Sequence, residues 1–196
     1  CIMAELTEKN FYLTNFPTVD YDIKKNGKSI EIPNLTVRYK IMEVLKNQRA
    51  AYFDYTIHDG VRADMIADQY YGDSSLDWIV YLTNNITDPQ WEWPLPREVF
   101  DDFIRSKYGS VEIAQATVHH YELIVQQQTV DFEGNIVPEN VVTIDLDTYN
   151  VTAPDNRKIK YNYDYEEDVN EAKRNIRLLD EKVVFQVVDR AQEIFE

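Results

Sequence analysis

The sequence predicts an α+β fold built from short strands and short amphipathic helices. Residues 52–57 are mostly aromatic or β-branched, which is a composition typical of a strand. Residues 61–83 instead carry apolar side chains at helical spacing, interrupted by one glycine. Residues 118–125 return to the period of two that strands show. Because these segments are short and alternate in type, we expect small strands and helices packed together in one mixed fold.

The first helix of the central segment is predicted between two glycines. Gly60 closes a turn that begins at His58, since glycine readily takes a positive φ. Gly72 stands where the helix must stop, at a position that favours a left-handed residue. The apolar residues expected to face inward together are Val61, Met65, Ile66 and Tyr70.

A second helix is predicted directly after this stop. Ser74 followed by Asp77 is an N-cap pattern. The residues expected to share its inner face are Leu76, Ile79, Val80 and Thr83. Two such helices and a strand pair can bury one face against each other, as a small module that gains stability by packing on a neighbour.

The first thirty-odd residues are aperiodic but richer in apolar side chains than a disordered tail. We interpret Phe11 to Ile23 either as an extended arm that orders against a partner or as a strand on its own domain. Asn26-Gly27 is a hairpin-turn signal, and the strand would return at Ile30 to Ile32. Thr36 then caps a predicted helix that ends near Asn47.

The segment Trp91 to Pro96 contains two tryptophans and two prolines, and the prolines argue against a helix here. It predicts a stiff aromatic loop, either exposed as an interface anchor or buried as a bracket between the module and the next helix. The bracket is slightly favoured. Together with the arm, this loop supplies the candidate interface residues Phe11, Tyr12, Phe16, Tyr21, Trp91 and Trp93.

The C-terminal half combines both element types. A helix is predicted from Glu98 to Tyr108, stopped by Gly109, and its inward residues would be Val99, Phe100, Phe103 and Ile104. Strands follow over residues 118–125 and 141–146, with a turn at 132–135 between them.

The last forty residues begin with tyrosines in alternation with polar residues. Tyr161, Tyr163 and Tyr165 fit a strand edge or an ordered loop. A short helix at 169–174 and a strand at 176–179 follow. Asp180 then caps a final helix, whose apolar stripe is Val184, Val187, Val188, Ala191 and Phe195.

The charge balance excludes several classes of partner. The chain has 35 acidic and 20 basic residues, a net charge of −15. This argues against nucleic acid and anionic membrane surfaces, both of which require clustered lysine and arginine. An acidic surface that keeps the subunit soluble is favoured over a basic protein partner. The 14 tyrosines favour an interaction protein, because tyrosine is enriched at interfaces.

Residues for catalysis, metals or cofactors are not evident. The five glycines form no phosphate-binding motif, and the single Cys1 offers neither a disulfide partner nor a zinc cluster. His119 and His120 are adjacent in a predicted strand, so their rings should point to opposite faces and not share a metal. The acidic run at 166–168 is typical of a solvated face. We expect no catalytic residue, no cofactor and no metal.

The order strand, turn, helix, tight turn, helix resembles a LysM module, a small βααβ unit known for binding cell-wall glycans. The residues that carry a narrower resemblance are Gly60, Arg62, Ile66, Ala67, Tyr71, Gly72 and Trp78, here called the motif residues. With them the chain resembles baseplate wedge protein 53 of contractile-tailed (T-even-like) bacteriophages, most closely from Tyr52 to Gly109. The implied division is an N-terminal arm and helix at 1–48, a LysM-like module at 49–96 and a C-terminal α+β region at 97–196.

The resemblance implies a structural subunit of the virion tail, assembled in the host cytoplasm. Six copies would bridge neighbouring wedges and contact other wedge subunits and the sheath-initiator subunit with its lysozyme-like fold, without cofactor, nucleic acid or membrane. Glycan-binding LysM modules usually read Gly-Asp-Thr or Gly-Asp-Ser where this chain has Gly60-Val61-Arg62, which disfavours sugar binding. The alternatives are a peptidoglycan-binding module accessory to a cell-wall hydrolase and an enzyme with an unrecognised carboxylate site.

Overall fold

The computed structural model describes residues 16–34 and 51–190. In chain order the earlier elements are β1 (Thr18–Tyr21), β2 (Ile30–Pro33), β3 (Tyr52–Thr56), α1 (Ala63–Tyr71), α2 (Asp77–Thr83), α3 (Pro89–Glu92), α4 (Arg97–Tyr108) and α5 (Val111–Ala116). The later elements are β4 (Val118–Gln126), β5 (Thr129–Val130), β6 (Ile136–Val137), β7 (Asn140–Ile144), α6 (Leu146–Val151), β8 (Arg157–Tyr161), α7 (Asn162–Ala172), β9 (Asn175–Leu179) and α8 (Glu181–Arg190). The α+β class predicted from the sequence is confirmed.

Three predictions fall outside the described residues. They are the helix from Thr36 to Asn47, the interface residues Phe11 and Tyr12, and the end of the last apolar stripe at Ala191 and Phe195.

The chain separates into two compact units. In the described part of the chain, the first unit comprises residues 16–34, 51–94 and 173–190, and the second unit comprises residues 95–172. The second unit is therefore inserted between two parts of the first. The three-part division made from the sequence stays a prediction.

The first unit is closed by an antiparallel strand pair whose members lie far apart in sequence. β3 pairs with β9 in a register that places Tyr52 opposite Leu179 and Thr56 opposite Asn175. α1 and α2 lie between them in sequence order, so strand, helix, helix and strand are all present. The strand that completes this set follows the second unit. The specific likeness to a LysM module stays a prediction.

The core of the first unit is apolar and well buried. Side chains from α1, α2, β9 and α8 meet there because each element places its apolar residues on one face. The largest fully buried members are Ile57, Ile66, Leu76, Ile79, Val80, Leu178, Leu179, Val184 and Val188. At about 25 cal/mol per Å² of apolar surface removed from water, burial on this scale is the main stabilising contribution to the unit.

The second unit has a three-stranded sheet in the order β7-β4-β8, with both pairs antiparallel. Its apolar core is smaller and is formed by Phe100, Ile104, Ala114 and Tyr163 from the helices α4, α5 and α7. The short pair β5 and β6 extends the connection between β4 and β7. Many apolar side chains of this unit remain at the surface.

These bounds confirm several predicted elements: the strand at 52–57, both central helices, the hairpin that turns at Asn26-Gly27, the helix before Gly109 and the strand at 176–179. The cap of the final helix is also confirmed, since the Asp180 carboxylate accepts a hydrogen bond from the Lys182 N–H at 3.0 Å.

Some details of facing and capping were wrong. Met65, Tyr70 and Val99 are exposed, because α1 and α4 turn different residues inward than the spacing indicated. Asp73 rather than Ser74 caps the turn before α2, accepting from the Ser75 N–H at 2.8 Å. Asparagine, aspartate and serine compete for such positions, so a one-residue error is easily made.

Several helices were wrongly typed or missed. Tyr163 and Tyr165 lie on α7 and not on a strand edge or loop, because the helix begins at Asn162, directly after β8. The helix α3 includes Trp91, although the prolines of this segment had argued against a helix. Pro89 lies in the first turn of α3, where the N–H that proline lacks would have no partner within the helix. The helix α5 was not predicted.

Candidate functional site

The two glycines of the motif set the entry to and exit from α1. Gly60 has φ +73° and Gly72 has φ +72°, both in the left-handed region that other L residues rarely adopt. The Gly72 N–H donates to the carbonyl of Asp68 at 3.1 Å, which closes the helix. Both glycines are therefore required by the backbone and offer no side-chain chemistry.

Four motif residues are buried in the first unit's core: Ile66, Ala67, Tyr71 and Trp78. The Tyr71 hydroxyl donates to the Leu179 carbonyl at 3.2 Å, linking α1 to β9. Burial, the largest influence, raises the pKa of the Tyr71 phenol well above its usual range. These four side chains hold helices and strand together and present little surface to a partner.

Arg62 is the motif residue whose charged group reaches solvent. Its guanidinium Nη2 lies 2.6 Å from the Asp64 carboxylate, with both side chains more than one third exposed. The hydrogen bond from Arg62 lowers the pKa of Asp64. An exposed ion pair of this kind contributes little stability, so Arg62 is available to a partner at small cost.

The outer edge of β9 is closed by side chains of the same unit. The Asn84 amide donates to the Arg177 carbonyl at 2.8 Å, and its oxygen accepts from the Arg177 N–H at 2.8 Å. One amide thus replaces a strand neighbour, which protects β9 from pairing with another chain. Near the point where β3 ends and β9 begins, the Arg174 guanidinium donates to the Asp59 carboxylate at 3.1 Å.

The two tryptophans of the aromatic loop have different environments. The Trp93 indole N–H donates to the Val61 carbonyl at 3.0 Å, and its ring stands edge-on to Tyr81 at 5.5 Å. Trp93 thus braces the loop against α1 and α2. Trp91 is 61% exposed, and its side chain has room for a contact outside the chain.

The two candidate interface residues in the described part of the N-terminal arm also differ in exposure. Phe16 is 7% exposed and packs into the first unit's core, which leaves little of its surface for a partner. Tyr21 is 56% exposed on β1. The interface roles of these residues stay predictions, with Tyr21 and Trp91 the better placed.

An aromatic cluster on the first unit was not predicted. Phe53 and Tyr55 of β3 both contact the ring of Tyr70, at 5.4 and 5.5 Å between centroids. The signal was present in the sequence, because residues two apart in a strand share a face. Phe53 and Tyr70 are both partly exposed, so the cluster adds apolar surface beside β3.

The rings of His119 and His120 do not point to opposite faces, so that prediction was wrong. The register of β4 against β8 shifts between Val118 and His120, and this bulge turns the two rings toward each other. Their Nδ1 atoms lie 2.6 Å apart, and His120 Nε2 lies 3.1 Å from the buried Glu122 carboxylate. His119 also stacks on Tyr165 at 3.9 Å.

An open groove of about 640 Å³ lies in the first unit, where β3 and β9 approach the end of α2. Its lining is mainly polar: Asp54, Thr56, Asn84, Asn85, Asn175 and Arg177 are among the residues. Several of these groups already bond each other, as in the contact from the Thr56 hydroxyl to Asn175 at 3.3 Å. The groove presents hydrogen-bonding surface, and the two charged groups in its lining, Asp54 and Arg177, lie 3.6 Å apart as an exposed ion pair.

Within residues 16–34 and 51–190, no group of three or more histidine, cysteine, aspartate or glutamate side chains is arranged to hold a metal ion. Over the same residues, none of the helices has the length and apolar character needed to cross a membrane.

The first unit thus combines exposed aromatic residues with a buried apolar core. Comparison with curated proteins found no match. A family model described as base plate wedge protein 53 matches residues 11–190, and confirms the resemblance drawn from the sequence. Because that match spans most of the sequence, the chain belongs to the base plate wedge protein 53 family, whose members are structural proteins of the phage tail baseplate.

Proposed function

We propose that this chain bridges neighbouring wedges of the baseplate and contacts hub-proximal proteins during tail assembly. Its partners would be other wedge subunits and the sheath-initiator subunit, with six copies in each baseplate. The observation that carries the proposal is the family match over residues 11–190. A bridging subunit needs separate surfaces for separate partners, and two compact units in one chain can supply them.

The exposed side chains support a role in protein contacts. Tyr21, Trp91 and Phe53 leave aromatic surface uncovered, and tyrosine and tryptophan are the residues that most often anchor interfaces. All three belong to the first unit, and Phe53 lies on β3, which pairs with β9. Rigid anchors lose little conformational entropy when a partner binds.

The chain acts as a structural part and not as an enzyme in this proposal. The acidic run at 166–168 was expected to be a solvated face, but Glu166 is buried. Glu166 is engaged instead in a structural network, since its carboxylate accepts from Lys107 Nζ at 2.6 Å and from the Tyr108 hydroxyl at 2.8 Å. Asp168 pairs with Lys160 at 2.5 Å on the surface.

A complementation assay tests the proposal. Extract from cells infected with a phage that lacks this gene product would be supplemented with purified chain, and complete baseplates counted by electron microscopy. The wild-type chain should restore assembly. A variant with Tyr21→Ser and Trp91→Ala should remain folded and restore it at least tenfold less well, because two interface anchors are lost.

The matched control is Ile113→Ser, which removes an exposed apolar side chain from α5 and should assemble like wild type. A deletion of all residues before Thr36 is a poorer test, because it also removes Phe16 from the core. Full assembly by the Tyr21 and Trp91 variant would reject these residues as bridging contacts. Failure of the wild-type chain to restore assembly would reject the function itself.

The polar groove beside β3 and β9 favours one second candidate, a peptidoglycan-binding module accessory to a cell-wall hydrolase. Its amides and hydroxyls could hydrogen-bond to sugar hydroxyls. Against this, Asn84 already uses both of its polar atoms on Arg177. Titration of the chain with peptidoglycan fragments by calorimetry separates the two: measurable heat that Asn85→Ala and Asn175→Ala abolish would favour the glycan module.

A further inference from the structure

The β1–β2 hairpin has one apolar face that no described element covers. Cross-strand neighbours place Val19 opposite Ile32 and Tyr21 opposite Ile30, so these four side chains share a face. Three of them are exposed, and only Ile32 is half-buried. An isolated two-stranded hairpin is marginally stable in water, and an uncovered apolar face is a preferred place for a partner to bind.

The loop of this hairpin is basic on a strongly acidic chain. Residues 23–29 contain Lys24, Lys25 and Lys28 and no acidic residue. The loop is held in shape by Asp22, whose carboxylate accepts from the N–H groups of Asn26 and Gly27 at 3.2 and 2.6 Å. The hairpin therefore presents a fixed apolar face beside a positively charged tip.

The second unit carries a hairpin whose tip is acidic, opposite in sign to the lysine loop at 23–29. β5 and β6 pair through Thr129 with Val137 and Val130 with Ile136, and both Val130 and Ile136 are exposed. Phe132 at the tip is fully exposed. The acidic residues of this tip are Asp131 and Glu133, and hydrogen bonds from Asn135 lower the pKa of Asp131, which keeps it ionised.

We propose that the β1–β2 hairpin of one copy docks on the β5–β6 hairpin of a second copy of this chain. Each hairpin has uncovered apolar side chains, and the charges beside them are opposite in sign, which favours and orients the encounter. The occupant is a second copy because the complementary surface is present on the chain itself. Residues 95–172 contain 16 acidic and 6 basic residues, a balance of the same sign as the acidic tip.

Such a contact is heterologous, because two different surfaces meet. Repeated from copy to copy, it builds a ring where the rotation closes and a filament where it does not. The inference rests on the proposed bridging function and deepens it, by naming neighbouring copies as one of the bridged partners.

Sedimentation velocity of the purified full-length chain tests the contact. Wild-type chain should self-associate at low ionic strength and dissociate in about 0.5 M salt, where charges are screened over a few Å. A hairpin variant carrying Lys24→Glu, Lys25→Glu and Lys28→Glu should associate about a hundredfold more weakly, because like charges then face each other. A tip variant carrying Thr129→Lys and Glu133→Lys should weaken association by a similar factor, and it leaves the Asp131 turn intact.

Mixing the two variants gives the most specific result. The acidic hairpin of one variant should bind the basic tip of the other, so the mixture should associate where neither variant does alone. The matched control for the tip variant carries Glu98→Lys and Gln115→Lys, the same charge change on exposed positions of α4 and α5, and should associate like wild type.

A monomeric wild-type chain at millimolar concentration, or a mixture that stays monomeric, would overturn the inference. Circular dichroism of each variant excludes unfolding as the cause. The complementation assay reports separately on the proposed function: a chain that restores baseplates but never self-associates contradicts the hairpin contact alone.

Discussion

The two units of this molecule are stabilised in different ways. The first unit buries a continuous set of aliphatic and aromatic side chains around one strand pair. The second unit has a small apolar core and keeps several polar side chains buried, namely Glu122, Asn162, Glu166 and Asn170. A buried polar network confers geometry when every group is satisfied, but it contributes less net stability than apolar packing.

The units also differ in how far apart their contacting residues lie. In the first unit the hydrogen bond from Thr56 to Asn175 joins residues 119 positions apart. In the second unit β4 pairs with β7 and β8 through connections of modest length. The first unit can therefore close only after the second has been synthesised, and we expect its strand pair to form late in folding.

The largest expected effect is on the first unit's core. Leu178 is fully buried on β9. Leu178→Ala should lower the free energy of unfolding by about 3 kcal/mol, since it removes apolar contacts and leaves a cavity. Urea unfolding followed by tryptophan fluorescence measures this directly, because Trp78, Trp91 and Trp93 all lie in the first unit. Val142→Ala, at an exposed position of β7, is the control and should change stability by less than about 0.5 kcal/mol.

A smaller effect is expected from the second unit's polar network. Glu166→Ala removes the acceptor for both Lys107 and Tyr108 and should cost about 2 kcal/mol, moderated because Lys107 can turn to solvent. Urea unfolding followed by far-ultraviolet circular dichroism is the measurement. The control Glu167→Ala, on the same helix as Glu166, breaks a partly exposed ion pair with Arg97 of α4 and should be nearly neutral. Equal effects of the two variants would contradict a structural role for the network.

The free energy of unfolding should fall at alkaline pH because of the buried phenol of Tyr71. The folded-state pKa of Tyr71 is raised by burial, whereas the phenol of the unfolded chain ionises near pH 10. The stabilisation of the folded state by this difference is therefore fully present below about pH 10 and is lost as the pH rises further. One such group gives a decline of about 1.4 kcal/mol per pH unit. Tyr71→Phe should be about 1 kcal/mol less stable at neutral pH and should decline less steeply between about pH 10 and 11. Parallel alkaline slopes for the two proteins would show that another group dominates.

The smallest expected effect is at the end of α1. Gly72→Ala forces a side chain into the left-handed region at φ +72° and should cost about 1 kcal/mol, although no atom would collide with the added Cβ. Gly72→Asn should cost less, because asparagine tolerates this conformation. Thermal unfolding of the three proteins would rank them glycine, asparagine, alanine, and any other order would contradict a purely conformational cost.

Local features of the fold were predictable where one chemical signal dominates. Gly60 and Gly72 marked the ends of α1 correctly, because backbone conformation at those points admits few other residues. The prediction of which α1 residues face the core was partly wrong, since Ile66 is buried but Met65 and Tyr70 are exposed. Spacing alone cannot decide which of two adjacent apolar residues faces the core when the neighbouring element is unknown.

Long-range features could not be predicted from the pattern. The sequence indicated a strand at 176–179, yet nothing in it indicated that β3 would be its partner. The prediction for the histidine pair was wrong for a related reason. Alternation along an ideal strand separates the rings of His119 and His120, but the bulge that brings them together depends on the register of β4 against β8. Of the candidate interface residues, the sequence could not separate the buried Phe16 from the exposed Tyr21.

Quantitative mass spectrometry of purified phage tails tests the structural role most directly. We expect peptides of this chain in intact tails and in isolated baseplates, at one constant ratio to the other wedge subunits in every preparation. Tails that are complete and contract normally, yet contain none of this chain, would contradict the assignment of a structural baseplate role.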